Sequence, residues 1–403
     1  MAGQRASSTR RSERPPAERA DAMEHAVSDR IARSEVLILR HQVSVPIGPA
    51  AVSYTHRECV MVRLEDGDGH VGWGETYYGP GIGAVASELG MMLHGQAPSQ
   101  ARRLLDGLHE TCADSTAISA WAIAIDDLRG RQLGVSVADL YGGRRRDSVR
   151  AYASSGGYRD GVDPETSWCD DVRTAVADGF TACKLRIGRF SPGREIPILE
   201  RVRAETDPAI ELMVDANGAY SLPLAVEVGR ALERLSFRWF EEPLIRFRGG
   251  MSYPGYEGLS VLDIPIAAGE GLQSRGAFAS FIARGGADIV QPDVAICGGV
   301  GEAVFIAELA ALNGRPCVPH AWGGAVLLAA TVQFASLIPE PSELAGALSP
   351  LLEVDRFENR MRTELAQVPQ EVVDGRVAVP TGPGLGIEVD EQALRRLAVA
   401  VVG

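Results

Sequence analysis

Nowhere does the sequence approach the roughly 20 consecutive apolar residues of a membrane span, and no apolar stretch of the secretory kind follows Met1. Cysteine is scarce and unpatterned: Cys59, Cys112, Cys169, Cys183, Cys297 and Cys317 lie scattered, with no CxxC spacing. That disfavours a disulfide framework and a zinc site, and suits free thiols in a reducing compartment. A surplus of positive charge is also missing. The net charge is -13 and the pI about 5.1, which argues against a nucleic-acid or anionic-membrane partner but leaves room for a local cationic site that takes a small acid. These absences point to a cytoplasmic protein with no membrane and no nucleic-acid partner. What is present, 403 residues of which 45% are hydrophobic, suffices for a barrel-sized domain and a second lobe.

Between Ile210 and Glu270 three short apolar runs each lead into a carboxylate: Ile210 to Val214 before Asp215, Phe237 to Phe240 before Glu241, and Ile264 to Ala268 before Gly269-Glu270. Each run has the length of a buried parallel strand, and the intervals of 26 and 29 residues between the acids leave room for one helix apiece. This is the rhythm of a (β/α) barrel, whose strands converge with their carboxyl ends on one face. Asp215, Glu241 and Glu270 are therefore candidate ligands of one hard divalent cation. The plainer alternative, three helix N-caps, leaves three successive buried acids without a countercharge.

Taken in order, residues 1–33 hold seven Arg, five acids and few large apolar side chains, so a disordered N-terminal tail is expected. Alternating runs at Val36 to Leu39 and Cys59 to Val62, a turn at Asp66 to Gly69 and a run at Val71 to Glu75 predict an antiparallel meander. Helical periods follow over Val85 to Leu93, Ala101 to Leu108 and Ala117 to Leu128. Residues 34–148 thus read as the N-terminal part of an α+β capping domain. Barrel strands are expected at Val149 to Ala153, Ala182 to Ile187, the three runs above, Asp288 to Gln291, Arg315 to Val318 and Leu351 to Val354, so the barrel occupies 149–370. Residues 371–403 revert to strands and a short helix that are expected to return to the cap and complete it.

The remaining strand ends carry Lys184 and Arg186, Asp293, His320 and Glu353. The spacing Lys184-x-Arg186 puts both cations on one face of a strand, aimed at the barrel mouth. Asp293, one strand before His320, is placed to orient the imidazole as a general base. Glu353 is preferred over Glu340 as the eighth-strand acid, because Pro339 and Pro341 forbid a regular strand around Glu340. Glu242, adjacent to Glu241, faces the opposite way.

Together these residues resemble the enolase superfamily, and within it the mandelate racemase group. The resemblance is carried by Lys184-x-Arg186, Asp215-Ala216-Asn217, Glu241-Glu242-Pro243, Gly269-Glu270, Gln291-Pro292-Asp293, Pro319-His320 and Leu352-Glu353-Val354-Asp355, with a cap phrase from Ala120 to Gly143 and the Gly382-Pro383-Gly384-Leu385-Gly386 run. It covers almost all of residues 34–403. It implies a (β/α)7β TIM-like barrel with a cap from both chain ends, Mg2+ held by Asp215, Glu241 and Glu270, and a homo-oligomer. It also implies loss of the α-proton of a carboxylate substrate through an enediolate. Lys184, Arg186, Asn217 and Tyr54 are candidates for binding that substrate, and Tyr77 and Tyr78 join Tyr54 as candidates on loops over the mouth.

One position departs from the group's commonest pattern, which has a second Lys, acting as a base, where this chain has Arg186. A guanidinium stays protonated, so it clamps anions and does not take protons. His320 with Asp293 is then the single base, with Glu353 as a proton donor, and one base at one face suits elimination. Dehydration of a sugar acid is expected first. Cycloisomerisation of an aldarolactone, an epimerase and a catalytically silent metal-binding relative are the alternatives.

Overall fold

The computed structural model describes residues 29–50, 52–244, 252–340 and 350–402. The tail expected over 1–33 lies outside the described residues up to position 28. The first strand already begins at Ile31, whose side chain is buried.

The cap is an antiparallel meander of Ile31–Gly48, Tyr54–Asp66 and Val71–Tyr77, with Val36 opposite Val62 and Met61 opposite Glu75. The chain's last strand, Ala398–Val402, pairs along the free edge of the first. Helix Ser115–Leu133 crosses the meander. It starts where the Asp114 carboxylate accepts the Thr116 N–H at 2.8 Å and ends at Gly134, whose φ of 69° only glycine adopts at little cost. This helix lies backbone to backbone on the third strand. A Cβ on Gly72 would stand 2.3 Å from the Ala124 carbonyl oxygen, and one on Gly74 1.9 Å from that of Ala120.

The barrel strands are Ser148–Ser154, Ala182–Arg186, Glu211–Asp215, Phe240–Glu241, Ile266–Ala268 and Ile289–Val290, each parallel to the next. The seventh position, expected as a strand over Arg315 to Val318, is a single bridge from Val290 to Cys317. Pro316 and Pro319 flank it and have no N–H to give to a longer ladder. The eighth strand, Leu351–Asp355, pairs with the first over its whole length and closes the ring. The hairpin Val372–Val373 and Arg376–Ala378, expected to return to the cap, adds instead to the outer side of the first barrel strand. Its Val377 covers Val149 there, and only Ala398–Val402 enters the cap sheet.

Inside the ring one buried layer takes a side chain from every strand position: Tyr152, Ala182, Met213, Trp239, Ala267, Ile289, Val318 and Leu351. This is the apolar floor. Because side chains alternate with a period of two, the next inward layer is two residues further along each strand. It reads Ser154, Lys184, Asp215, Glu241, Gly269, Gln291, His320 and Glu353. One step in register therefore takes the barrel from a dry core to a polar site.

The close approach at Gly74 yields a test. Gly74→Val should lower stability by about 1–3 kcal/mol through overpacking, read as a drop in the urea midpoint. Gly107→Ala, on an open helix position with nothing within 4 Å, should raise it by about 0.5–1 kcal/mol. Equal midpoints for Gly74→Val and the parent chain would mean that the helix does not rest on the strand backbone.

Candidate active site

The polar layer is a compact charge cluster. The Lys184 ammonium lies 2.5 Å from Glu241 Oε1, 2.9 Å from Glu353 Oε1 and 4.0 Å from Asp215 Oδ2. Burial alone would depress its proton affinity, but Glu241 and Glu353 outweigh burial and hold the amine charged. Arg186, at the end of the same strand, donates to Asp215 Oδ2 at 2.8 Å and is held charged in the same way, chiefly by Asp215. Glu241 Oε2 accepts from the Trp239 indole at 3.1 Å and the Gln291 amide at 2.9 Å. Burial pushes the Glu241 carboxyl up to about 7; Lys184 opposes this, and Asp215 and Glu353 add to it.

Across the mouth, His320 Nδ1 donates to Asp293 Oδ2 at 2.6 Å, and its Nε2 faces Glu270 Oε2 at 3.2 Å. Burial works against the charged ring, yet Glu270 and Glu353 lift its pKa to about 10. Asp293 Oδ2 also accepts the Tyr77 hydroxyl at 2.6 Å, and that hydroxyl accepts the Trp322 N–H at 3.2 Å. The dyad is thus gripped by a cap residue. Glu353 Oε2 accepts the Ala321 N–H at 3.1 Å. Burial would raise the Glu353 carboxyl, but Lys184, His320 and Arg186 keep it well below the usual range, which opposes the expected proton-donor role.

Asn217 gives its backbone N–H to Asp215 Oδ1 at 2.7 Å, from a backbone with φ 45°. Its side chain lines the cavity together with Tyr54 and Tyr78. Tyr77, with packing as its plainer role, is instead wired to Asp293. Glu242 is buried outside the polar layer, where it accepts the Tyr253 hydroxyl at 2.6 Å. Glu340 sits at the surface beside Arg146, away from the cluster.

The three expected metal ligands stand on neighbouring strand positions, but each carboxylate is turned toward its own cation: Asp215 to Arg186, Glu241 to Lys184 and Glu270 to His320. Among the described residues, the one trio of ligand atoms already within 4.8 Å of one another is Asp66, Asp68 and His70. That trio is an ordinary turn: Asp66 already accepts from the backbone of Asp68 and His70 and from Gln132. The barrel set nevertheless suits a hard divalent ion. It offers oxygen donors only, and five carboxylates (Asp215, Glu241, Glu270, Asp293 and Glu353) face two permanent cations and one imidazole.

Some functional positions left weaker signals. Lys184 is the sole lysine of the chain, so all other residues counted as Lys or Arg are arginines; composition alone could have singled it out. Trp322 lies two residues after His320, and its ring has Tyr54 at 5.4 Å on one side and the Arg57 guanidinium at 3.7 Å. Nothing in the sequence announced Arg57, which reaches from the cap to pair with Asp355 at 2.9 Å.

Comparison with known proteins agrees with this fold. Residues 33–142 match the mandelate racemase / muconate lactonizing enzyme N-terminal domain, and residues 168–393 the enolase C-terminal domain-like family. D-galactarolactone cycloisomerase of Agrobacterium fabrum is 36% identical over 89% of this chain and 96% of its own. The 3,6-anhydro-D-galactonate cycloisomerase of Zobellia galactanivorans superposes with a TM-score of 0.81 at 26% identity, covering 92% of this chain and all of that one. L-Talarate dehydratase of Polaromonas sp. JS666, in a crystal structure complexed with Mg and L-glucarate, superposes with a TM-score of 0.79 at 29% identity, covering 93% of this chain and 100% of that one. The chain belongs to the mandelate racemase and muconate lactonizing enzyme group of the enolase superfamily, and is an enzyme of the lyase or isomerase kind.

Proposed function

We propose that this enzyme removes the α-proton of a sugar acid with His320 as its one base and expels the β-hydroxyl as water, leaving a 2-keto acid. The observation that carries this is an asymmetry across the mouth. One side offers the His320–Asp293 dyad, and the other offers Lys184 and Arg186, both held charged and so unable to accept a proton. Mg2+ would be held by Asp215, Glu241 and Glu270, and when bound supplies Lewis-acid neutralisation of the substrate carboxylate.

The chain's own residues do the rest. Lys184 and Arg186 present positive charge to the carboxylate that becomes doubly negative as the α-proton leaves. Asp293 fixes the imidazole with Nδ1 protonated, so that Nε2 faces the mouth. Were Glu270 turned to a bound cation, the ring would lose the strongest of the contacts that raise its proton affinity, and Nε2 would be free to accept. The electron pair of the broken C–H bond is first held as the enediolate, and then forms the bond between the α- and β-carbons as the β C–O bond breaks. His320, now charged, returns the proton to the departing hydroxide, and the enol tautomerises to the keto acid.

A second form of the same chemistry, opening of an aldarolactone by loss of its ring C–O bond, is favoured by the 36% identity to a galactarolactone cycloisomerase. It uses the same base and the same cations.

His320→Asn should cost at least about a thousandfold in kcat while leaving calorimetric Mg2+ affinity within a few-fold; a variant that keeps turnover within tenfold removes His320 as the base. The second expectation concerns pH. A ligand carboxylate must lose its proton to bind metal, and Glu241 sits at about 7. Mg2+ affinity should therefore fall about tenfold for each unit below pH 7, read by quenching of the Trp239 indole that touches Glu241. Affinity that stays flat from pH 5 to pH 7 would mean that Glu241 is not at once a metal ligand and a carboxyl raised by burial.

A further inference from the structure

We infer that the end of the substrate remote from the reacting carboxylate carries no charge, so that the site takes an aldonate or a lactone in preference to an open-chain dicarboxylate. This rests on the sugar-acid function proposed above and narrows it. The cavity between cap and barrel encloses about 320 Å³, enough for one small polyol acid. Arg186, Glu270 and His320 line its barrel end. The opposite wall comes from the cap and from the loop after His320.

On that wall the charged groups are already matched inside the protein. The Arg57 guanidinium pairs with Asp355 at 2.9 Å through Nη1, donates to the Trp322 carbonyl at 2.9 Å through Nη2, and stacks on the Trp322 ring. Its side chain is 3% exposed. Glu58 pairs with Arg40 at 2.5 Å. Burial raises the Glu75 carboxyl, while the amides of Gly324 at 2.5 Å and Leu327 at 2.9 Å, at the start of helix Ala325–Leu337, favour its charged form. In either protonation state it adds no cation. Among the described residues lining this wall, the remaining titratable side chain of basic type is His56, whose Nδ1 is shared with the Thr55 hydroxyl at 2.9 Å. A second carboxylate placed here would lose its water beside two acids and gain no committed partner among the described residues.

The wall offers uncharged recognition instead. The rings of Tyr54 and Trp322 lie 5.4 Å apart, and Trp322 Nε1 is buried with no hydrogen-bond partner. An indole N–H beside aromatic faces suits the hydroxyls and C–H faces of a sugar or a lactone ring.

The test compares galactonate, galactarate and galactaro-1,4-lactone, which differ at the remote end. Each is titrated calorimetrically into the full chain with Mg2+ present, and kcat/KM is measured for each. Galactonate or the lactone should bind and react at least about tenfold better than galactarate. Equal or better use of galactarate overturns the inference; if His56→Gln then abolishes that preference, the second carboxylate belongs to His56. Selective binding of the neutral-ended compounds without turnover of any would uphold the inference and sink the proposed reaction. Failure of all three to bind would sink both.

Discussion

The structure turns on one buried ammonium. Lys184 has no exposed surface and sits among Glu241, Glu353 and Asp215. Removing it would leave Glu241 and Glu353 in the barrel interior without their nearest countercharge, a condition that costs far more than a surface ion pair returns. Arginine would not substitute. An ammonium is compact and points its donors three ways, here toward Glu241, Glu353 and Asp215, whereas a guanidinium is a planar fork of five donors. It is telling that a chain which otherwise uses arginine for every permanent cation keeps its single lysine here.

The cap is fastened to the same cluster from the other side. Arg57 spans from the second cap strand to Asp355 at the end of the eighth barrel strand, and Arg362 meets the same carboxylate at 2.9 Å. Burial would raise Asp355, but the two guanidinium groups hold it below the usual carboxylate range. From the third cap strand, Thr76 donates to the Ala295 carbonyl at 2.7 Å and Tyr77 to Asp293. The His320–Asp293 dyad is thus oriented partly by a residue about two hundred positions away in sequence (216 for Tyr77 and Asp293). Docking the cap thus also fixes the imidazole.

Much of this was legible because two periodicities coincide. Apolar runs of strand length at helix-sized intervals disclosed the barrel, and the period of two along each strand placed Lys184, Asp215, Glu241 and Glu353 in one layer. What escaped the sequence is of two kinds. The first is the extent of short or proline-flanked strands: runs at Phe237 to Phe240 and Arg315 to Val318 were expected as strands, but the ladder there shrinks to Phe240–Glu241 and a single bridge at Cys317. The second is pairing across the two lobes. Arg57, Tyr77 and Trp322 carry no spacing signal, since their partners are brought near only by the docking of separately patterned units. The hairpin near Val377 was misplaced for the same reason: its apolar alternation suits either sheet, and only the exposed flank of the first barrel strand decides between them.

Arg186 deserves its place in the mechanism because of where its charge is spent. A lysine there could, by shedding its proton, serve as a second base and return a proton to the opposite face of the substrate, which makes an isomerase reversible at one carbon. A guanidinium locked to Asp215 closes that path. On the proposed reading the intermediate is then discharged by the acid opposite, His320, or by departure of a group on the adjacent carbon. In the proposed mechanism elimination has the advantage, because the leaving group carries off charge that the site would otherwise have to store, and because His320 would by then hold the proton the departing group needs. A single substitution of one cation for another, at a position where neither changes the net charge, thus separates two outcomes of a shared intermediate.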